Sequence, residues 1–203
     1  MRRPAWQLTA MGLLFLGPFV VAMVIYAGRG VFGGIDPLPN PDRELIEPPP
    51  TIPLEPIRLA GGGQSDPDWA RSRWSLVYAR MRPCETECTE ALSRLHQVWL
   101  ALGAERDRVR EVFLAPAGEA SPGGEASPAG GASTVVPDGF LSGVIDASGG
   151  PDLLRLLGPE RLARGQFFVV DPLGNVILSY PDDADQTRLL RDLERLLDVS
   201  RVG

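Results

Sequence analysis

The chain contains only two cysteines, and they stand four residues apart where one structural pattern gives way to another. Cys84 and Cys88 follow the apolar run Trp74–Ala79, which is typical of a buried strand, and they open an amphipathic helix predicted for Thr86–Leu102. Residues at i and i+4 share one face of a helix, with Cβ atoms roughly 5 to 6 Å apart. The spacing therefore allows the two thiols to form a disulfide after a modest adjustment, or to bind one soft metal ion together.

The N-terminus carries a predicted membrane segment. Residues 8–27 form an almost uninterrupted apolar run of about 20 residues, the length required to cross a bilayer, and Arg2 and Arg3 precede it. By the positive-inside rule, we expect the N-terminus in the cytoplasm, a single pass through the inner (cytoplasmic) membrane and the soluble domain in the periplasm. A cleaved signal peptide is the alternative, because Ile25-Tyr26-Ala27 weakly resembles a processing site. Either topology places the cysteines where disulfides are permitted.

Composition divides the chain into three parts. We assign residues 1–28 to a cytoplasmic tip and transmembrane anchor, residues 29–65 to a Pro/Gly-rich spacer and residues 66–199 to one globular domain. The spacer contains eight prolines, which favour an extended, semi-rigid segment, and a docking role for it is the alternative. Within the domain, residues 116–134 contain the pentapeptide Gly-Glu-Ala-Ser-Pro twice. This polar, low-complexity insertion is predicted to be disordered.

The order of the predicted elements indicates the fold class. The Cys-bearing helix connects two predicted strands, Trp74–Ala79 and Val109–Ala115, and such a crossover implies that they are parallel. The end of the chain predicts a short helix, two strands joined by a tight turn, and a terminal helix: Asp152–Leu157, Gln166–Val170, Asp171–Asn175, Val176–Tyr180 and Asp185–Leu197. The sequence therefore predicts an α/β, thioredoxin-like fold, a mixed sheet flanked by helices, behind a single N-terminal transmembrane helix.

These features resemble those of the Sco/SenC proteins, membrane-anchored thioredoxin-fold factors that assemble the copper sites of cytochrome c oxidase. The likeness rests on the anchor, on the Cys-x-x-x-Cys pair after a strand, and on the late strand, Asp-Pro-x-Gly turn, strand and helix of residues 166–197. The chain departs from that family where the family supplies a third copper ligand, a His shortly before the turn. Ala163 occupies that position, and neither of its neighbours is a His.

The resemblance implies an accessory factor in the assembly of a respiratory copper oxidase. Its partners would be the membrane and either an oxidase subunit or another assembly factor. Cys84 and Cys88 would be the catalytic pair of a thiol-disulfide oxidoreductase, or would bind Cu(I) as ligands without a third ligand; Cu(I) is the only cofactor that the resemblance implies. Two alternatives stay open: a non-catalytic interaction module in which the cysteine pair is structural, and a general extracytoplasmic thiol-disulfide oxidoreductase.

Other candidate residues have simpler explanations. His96 is the only histidine, and on the same helix it would lie about 12 Å along the axis from Cys88, too far to share a metal ion with it. We expect His96 at the boundary of the helix surface and Asp171 in a turn-capping role. Core positions are expected for four aromatic residues, Trp74, Trp99, Phe167 and Phe168. The chain has no basic stripe, so nucleic acid is not an expected partner.

Overall fold

The computed structural model of the chain describes residues 16–17, 40–82, 84, 86–117, 120–122, 134–145 and 151–200. The chain forms two compact units, Met1–Pro41 and Asp42–Gly203, and nearly all of the described residues belong to the second. The predicted anchor at residues 8–27 lies outside the described residues, apart from Leu16 and Gly17. Among the residues that are described, no helix combines the length and apolar character needed to cross a bilayer.

The second unit is an α/β domain. Its strands, in chain order, are β1 (Glu44–Leu45), β2 (Trp74–Ala79), β3 (Val109–Ala115), β4 (Ala120–Pro122), β5 (Thr134–Val136), β6 (Leu141–Val144), β7 (Gln166–Val170) and β8 (Val176–Pro181). Its helices are α1 (Thr86–Ala101), α2 (Pro151–Leu157), α3 (Pro159–Arg164) and α4 (Gln186–Val199), with a 3₁₀ segment at Gly103–Arg108. Six strands form one sheet in the order β1-β8-β7-β2-β3-β6, and β4 pairs with β5 in a small second sheet.

The main sheet is mixed, as the sequence predicts. Strand β2 runs parallel to β3, with Val77 opposite Val112, because α1 crosses over between them. On its other side β2 is antiparallel to β7, where Val77 lies opposite Phe168, and the turn after β7 returns the chain antiparallel as β8. All six residues of β2 are buried, which explains their continuous apolar run. The predicted thioredoxin-like fold is confirmed.

Side chains that alternate along the strands form a hydrophobic core on each face of the sheet. On one face α1 and α4 cover the strands, and the buried residues include Leu76, Tyr78, Phe113, Phe167, Leu92, Leu95, Leu189 and Leu193. On the other face α2, α3 and the segment before β2 contribute Leu153, Leu162, Ile52, Ile57 and Trp69 against Val77, Leu114 and Phe168. Of the four aromatic residues predicted in the core, Trp99 alone is only partly buried, because it lies at the rim where α1 ends.

The proline-rich segment before the domain is docked over much of its length. The predicted boundary placed residues 29–65 in a spacer, whereas the compact unit begins at Asp42 and β1 pairs with β8 at the sheet edge. Ile52 donates its N–H to the carbonyl of Gly174 at 2.8 Å, and the side chains of Ile52 and Ile57 are buried. Proline has no backbone N–H to donate, and a sheet edge tolerates it because no neighbouring strand requires that hydrogen bond there.

Two further regions differ in detail from the sequence predictions. Part of the insertion predicted to be disordered, residues 116–134, contributes to the parallel β4–β5 pair, while residues 123–133 lie outside the described residues. Strand β6, which extends the sheet beyond β3, was not predicted, because four residues with a central glycine give little periodicity.

The turn role of Asp171 is confirmed, since its Oδ1 accepts the N–H groups of Leu173 and Asn175.

Candidate redox site

The cysteine pair lies at the junction between the central strand and the first helix. After β2 ends, the backbone N–H of Arg80 still donates to Leu114 of β3 at 3.0 Å, and that of Met81 donates to Leu162 of α3 at 2.8 Å. These two bonds fix the chain as it leaves the sheet. Helix α1 then begins at Thr86, so that Cys84 precedes the helix and Cys88 lies in its first turn.

Cys84 and Cys88 form a disulfide. Their Cα atoms are 5.2 Å apart, within the range of roughly 4.4 to 6.8 Å that disulfides require. The first cysteine can reach the second because it lies ahead of the helix rather than on it. The structure therefore brings the two predicted site residues together as a closed pair, a geometry that the four-residue spacing permitted without requiring.

The disulfide is part of the hydrophobic core. Cys84 is 3% exposed and Cys88 is 0% exposed, and both belong to the core cluster that contains Tyr78, Ala91 and Leu92. An attacking thiolate must approach one sulfur along the S–S axis, so exchange with a client requires the segment around Cys84 to open.

A buried arginine supports the loop that leads to the pair. Arg80 is 6% exposed, and its Nε donates to the carbonyl of Arg82 at 3.1 Å. The guanidinium thus holds the chain two residues before Cys84.

Behind Arg80 lies a polar group that we call the Tyr78 cluster: Tyr78, Arg80, Arg94 and Asp182. Arg94 of α1 donates to the carbonyl of Asp182 at 2.7 Å. Burial raises the pKa of the Asp182 carboxyl, Asp183 adds to the rise, and Arg94 and Arg80 oppose it. Burial raises the pKa of Tyr78 to about 12, and Arg80 partly offsets this, although no group among the described residues meets hydrogen-bond geometry with the Tyr78 hydroxyl.

Glycine at position 165 keeps this cluster closely packed. Gly165 connects α3 to β7 with φ of +88°, and a Cβ there would lie 2.7 Å from Oη of Tyr78 and 3.3 Å from Oδ2 of Asp182. A cavity of about 770 Å³ opens beside Gly165 and Asp182, and neither cysteine is among the residues that line it. Gly165 directly follows Arg164, the last residue of α3, so this corner lies beside Ala163, where the resemblance to Sco proteins implies a histidine.

His96 is engaged elsewhere, at the boundary position that the sequence predicts. Its Nδ1 lies 3.1 Å from Oε2 and 3.2 Å from Oε1 of Glu111 on β3, and its ring stacks on Trp99 with centroids 5.7 Å apart. Within the described residues, no group of three or more His, Cys, Asp or Glu side chains could hold a metal ion. Once reduced, the cysteine pair would offer Cu(I) two thiolates from this chain.

Glu111 has a structural role that was not predicted from the sequence. This carboxylate is buried on the same face of the sheet as Val109 and Phe113, and burial raises its pKa while the hydrogen bond and the charge of His96 lower it. The signal was present, because Glu111 has the same strand parity as the apolar residues Val109 and Phe113 and so faces the core with them. Such a residue requires a partner when it faces a core.

Comparison with known families adds an independent line of evidence. A family model described as "Transmembrane-like, thioredoxin-like, C-terminal domain" matches residues 74–128 and 153–200, about half of the chain. The matched residues include β2, α1 with both cysteines, β3, β7, β8 and α4. No curated protein matches the chain.

Solved structures of Sco proteins share the fold. Yeast Sco1 with copper bound is 11% identical with a TM-score of 0.57, covering 76% of this chain and 96% of that one. Apo Sco1 from Thermus thermophilus is 17% identical with a TM-score of 0.53, covering 75% and 94%. Arabidopsis thaliana ScoI with copper bound is 11% identical with a TM-score of 0.53, covering 74% and 99%. The resemblance predicted from the sequence is thus confirmed at the level of the fold.

Proposed function

Because the chain belongs to the family of transmembrane-like, thioredoxin-like C-terminal domains, we propose that it acts at the periplasmic side of the inner membrane as a thiol-disulfide factor in the assembly of a respiratory copper oxidase. The observation that carries this proposal is the Cys84–Cys88 disulfide at the junction of β2 and α1. The client class comes from the resemblance to Sco proteins. The partners are an oxidase subunit or another assembly factor, together with the membrane that anchors the chain.

The reaction that the pair supports is the reduction of a client disulfide. One thiolate of the reduced pair attacks a client sulfur, forms a mixed disulfide and releases the first client thiolate. The second cysteine then attacks its own partner's sulfur, which releases the second client thiol and leaves Cys84–Cys88 oxidised, the state seen here. Two electrons and two protons pass to the client, and an external dithiol donor must return them for another turnover.

We propose Cys84 as the attacking residue. It lies in the loop before α1 and can become accessible when that loop opens, whereas Cys88 is held by the helix and is 0% exposed. Arg80, which donates a hydrogen bond to the loop carbonyl of Arg82, would position this opening. The client groove is expected on the side of the loop, where Arg82 and Thr86 are exposed.

Cu(I) delivery is a second form of the same proposal, with copper as cargo. Soft thiolates select Cu(I), and the reduced pair supplies two of them. A third ligand would come from the client or from another assembly factor, because position 163 and its neighbours carry none in this chain. Such a two-ligand carrier would release copper readily to a site with more thiolates.

The burial of both sulfurs favours one different function, a non-catalytic interaction module with a structural disulfide. In that case the pair would resist exchange with small dithiols while the protein is folded. A purified sample distinguishes the possibilities: its reduction potential is measured against a dithiol buffer, and the reduced form is titrated with Cu(I) in competition with a chromogenic chelator. Reversible exchange supports the redox function, stoichiometric Cu(I) binding lost in Cys88→Ser supports the carrier, and resistance to both supports the module.

The test in cells replaces the native protein by Cys84→Ser, Cys88→Ser or the double variant. We expect loss of copper-oxidase activity in all three, with the protein still present in the membrane at normal level. Arg195→Gln is the matched control, because this exposed residue of α4 is remote in sequence from the pair and from Arg80. Unchanged oxidase activity in the double variant would contradict both the redox and the carrier proposals.

A further inference from the structure

A second cavity lies beside the first residues of β3, on a part of the molecule that the cysteine chemistry does not use. Its volume is about 370 Å³, within the range of roughly 300 to 1,000 Å³ that is usual for small-molecule sites. Strand β6 begins to pair with β3 only at Val112, opposite Leu141. The edge of β3 at residues 109–111 is therefore not covered by β6, and the cavity lies there.

Two aromatic residues, Trp99 and Phe140, line this pocket. Trp99 donates from Nε1 to the carbonyl of Val109 at 2.8 Å and also contacts the carbonyl of Arg106 at 3.2 Å. Phe140 lies 6.2 Å from the ring of His96, which in turn stacks on Trp99. Because its hydrogen bonds fix the Trp99 ring, this residue can receive a flat apolar group without losing further side-chain freedom.

Three arginines are among the residues that line the same pocket: Arg73, Arg106 and Arg110. Arg106 places its Cζ 5.5 Å from the centroid of the Trp99 ring. Burial lowers the pKa of Arg110, and the charge of Arg73 lowers it further, so two like charges lie close together. Asp66 and Asp68 only partly compensate Arg110, which also donates to the carbonyl of Trp69.

The acidic residues of the lining do not cancel this positive character. Glu111 is 3% exposed and its carboxylate is already hydrogen-bonded to His96, so it is not a free anion in the lining. Asp107 is the other carboxylate in the lining, against three arginines. The surroundings thus combine excess positive charge with an apolar ring surface, and such a site suits an anion attached to a flat apolar group.

We propose that this pocket, which we call the Trp99 pocket, binds a small organic anion that carries a carboxylate on an aromatic ring. The carboxylate pairs with the guanidinium groups of Arg73 and Arg106, and the ring packs against Trp99 and Phe140. Neither cysteine lines the Trp99 pocket, and the proposal does not depend on the redox function.

Benzoate is the probe that tests this proposal. The full 203-residue chain in detergent micelles is titrated by calorimetry, and the indole N–H signals of its four tryptophans are followed by NMR. Benzyl alcohol keeps the ring without the charge, and acetate keeps the charge without the ring. We expect saturable one-to-one binding of benzoate that shifts the Trp99 signal, with both comparison compounds at least about tenfold weaker. Titration of protein-free micelles corrects for partitioning.

Variants connect the binding to the pocket. Arg106→Gln should weaken benzoate about tenfold, because one charge-assisted hydrogen bond is lost, while Arg106→Lys should retain part of the affinity. Arg195→Gln removes the same charge on exposed α4 and should leave the affinity unchanged. Thermal unfolding of each variant shows that the fold is kept. Absence of saturable benzoate binding, equal binding of benzyl alcohol, or equal affinity in Arg106→Gln and Arg195→Gln would each overturn the proposal.

Discussion

His96 on α1 and Glu111 on β3 form a hydrogen-bonded pair in which Nδ1 and Oε2 are 3.1 Å apart. The imidazole is 24% exposed at the boundary, whereas the carboxylate is only 2% exposed. The pair thus joins the helix that carries Cys88 to the sheet beneath it. We also expect this pair to make the stability of the fold depend on pH.

The stability of the protein should fall as pH rises through the titration of Glu111. Burial raises the pKa of Glu111 above its ordinary value of 4.5, and the hydrogen bond and charge of His96 only partly oppose this. At pH values between the pKa of Glu111 in the unfolded chain and its higher pKa in the folded protein, the folded state holds a proton that the unfolded chain has released. Stability therefore decreases with increasing pH in that window and then levels off. Glu111→Gln should remove this decrease in denaturant unfolding measured over a series of pH values.

His96→Gln provides the matched variant for this pH dependence. Without the imidazole, less opposes the effect of burial, so the decrease in stability should extend to higher pH than in the wild type. Parallel stability curves for the wild type and Glu111→Gln across the whole series would show that Glu111 does not titrate differently in the folded and unfolded states.

Substitution of Gly165 by alanine should destabilise the fold through both strain and a clash. A residue with a side chain is strained at φ of +88°, by about 1 to 2 kcal/mol, and its Cβ would lie 2.7 Å from the Tyr78 hydroxyl. Gly62→Ala is the control, because φ there is +92° and no atom lies within 4 Å of the added Cβ. We expect Gly165→Ala to cost more than Gly62→Ala in denaturant unfolding.

The double variant Tyr78→Phe/Gly165→Ala tests where the additional cost arises. The buried Tyr78 hydroxyl interacts with the Arg80 guanidinium without good hydrogen-bond geometry, so its removal should change stability little. It should also recover part of the loss caused by Gly165→Ala, because the closest contact disappears. If the stability changes of Tyr78→Phe and Gly165→Ala were strictly additive, the cost of Gly165→Ala would not come from the contact with the Tyr78 hydroxyl.

Reduction of the disulfide should lower the free energy of unfolding without unfolding the domain. Closing a loop of this length is worth about 2 kcal/mol of unfolded-state entropy, and both reduced sulfurs remain suited to an apolar core. Denaturant unfolding with and without a strong dithiol measures the difference. Cys84→Ala/Cys88→Ala should show no response to the dithiol, and a domain that unfolds completely on reduction would support the structural role of the pair.

The segment before β2 should contribute to stability as part of the domain. Ile52→Ala removes a side chain that is 3% exposed and should cost about 2 to 4 kcal/mol. Leu54→Ala, two residues later, removes a side chain that is 60% exposed and should change stability by less than about 0.5 kcal/mol. Equal, small effects of the two substitutions would indicate a segment that does not pack on the sheet in solution.

Local patterns determined much of the architecture. The strands Trp74–Ala79, Val109–Ala115 and Gln166–Val170 lie at the residues that apolar runs predict, and α1 ends near Gly103 as expected. Strand direction also followed from the sequence, because a crossover helix requires a parallel pair and a tight turn an antiparallel one. The position of the cysteine pair at a strand-to-helix junction was determined in the same way.

Contacts between distant parts of the chain decided the rest. Residues 42–65 were predicted to be part of a spacer because their prolines suppress any hydrophobic periodicity. The side chains of Ile52 and Ile57 are nevertheless buried against residues far along the sequence. The depth of the disulfide depends on how α1 packs on the sheet, and the Glu111–His96 pair depends on the register between them. Periodicity reports which residues share a face of one element, whereas burial and pairing depend on what the fold places opposite that face.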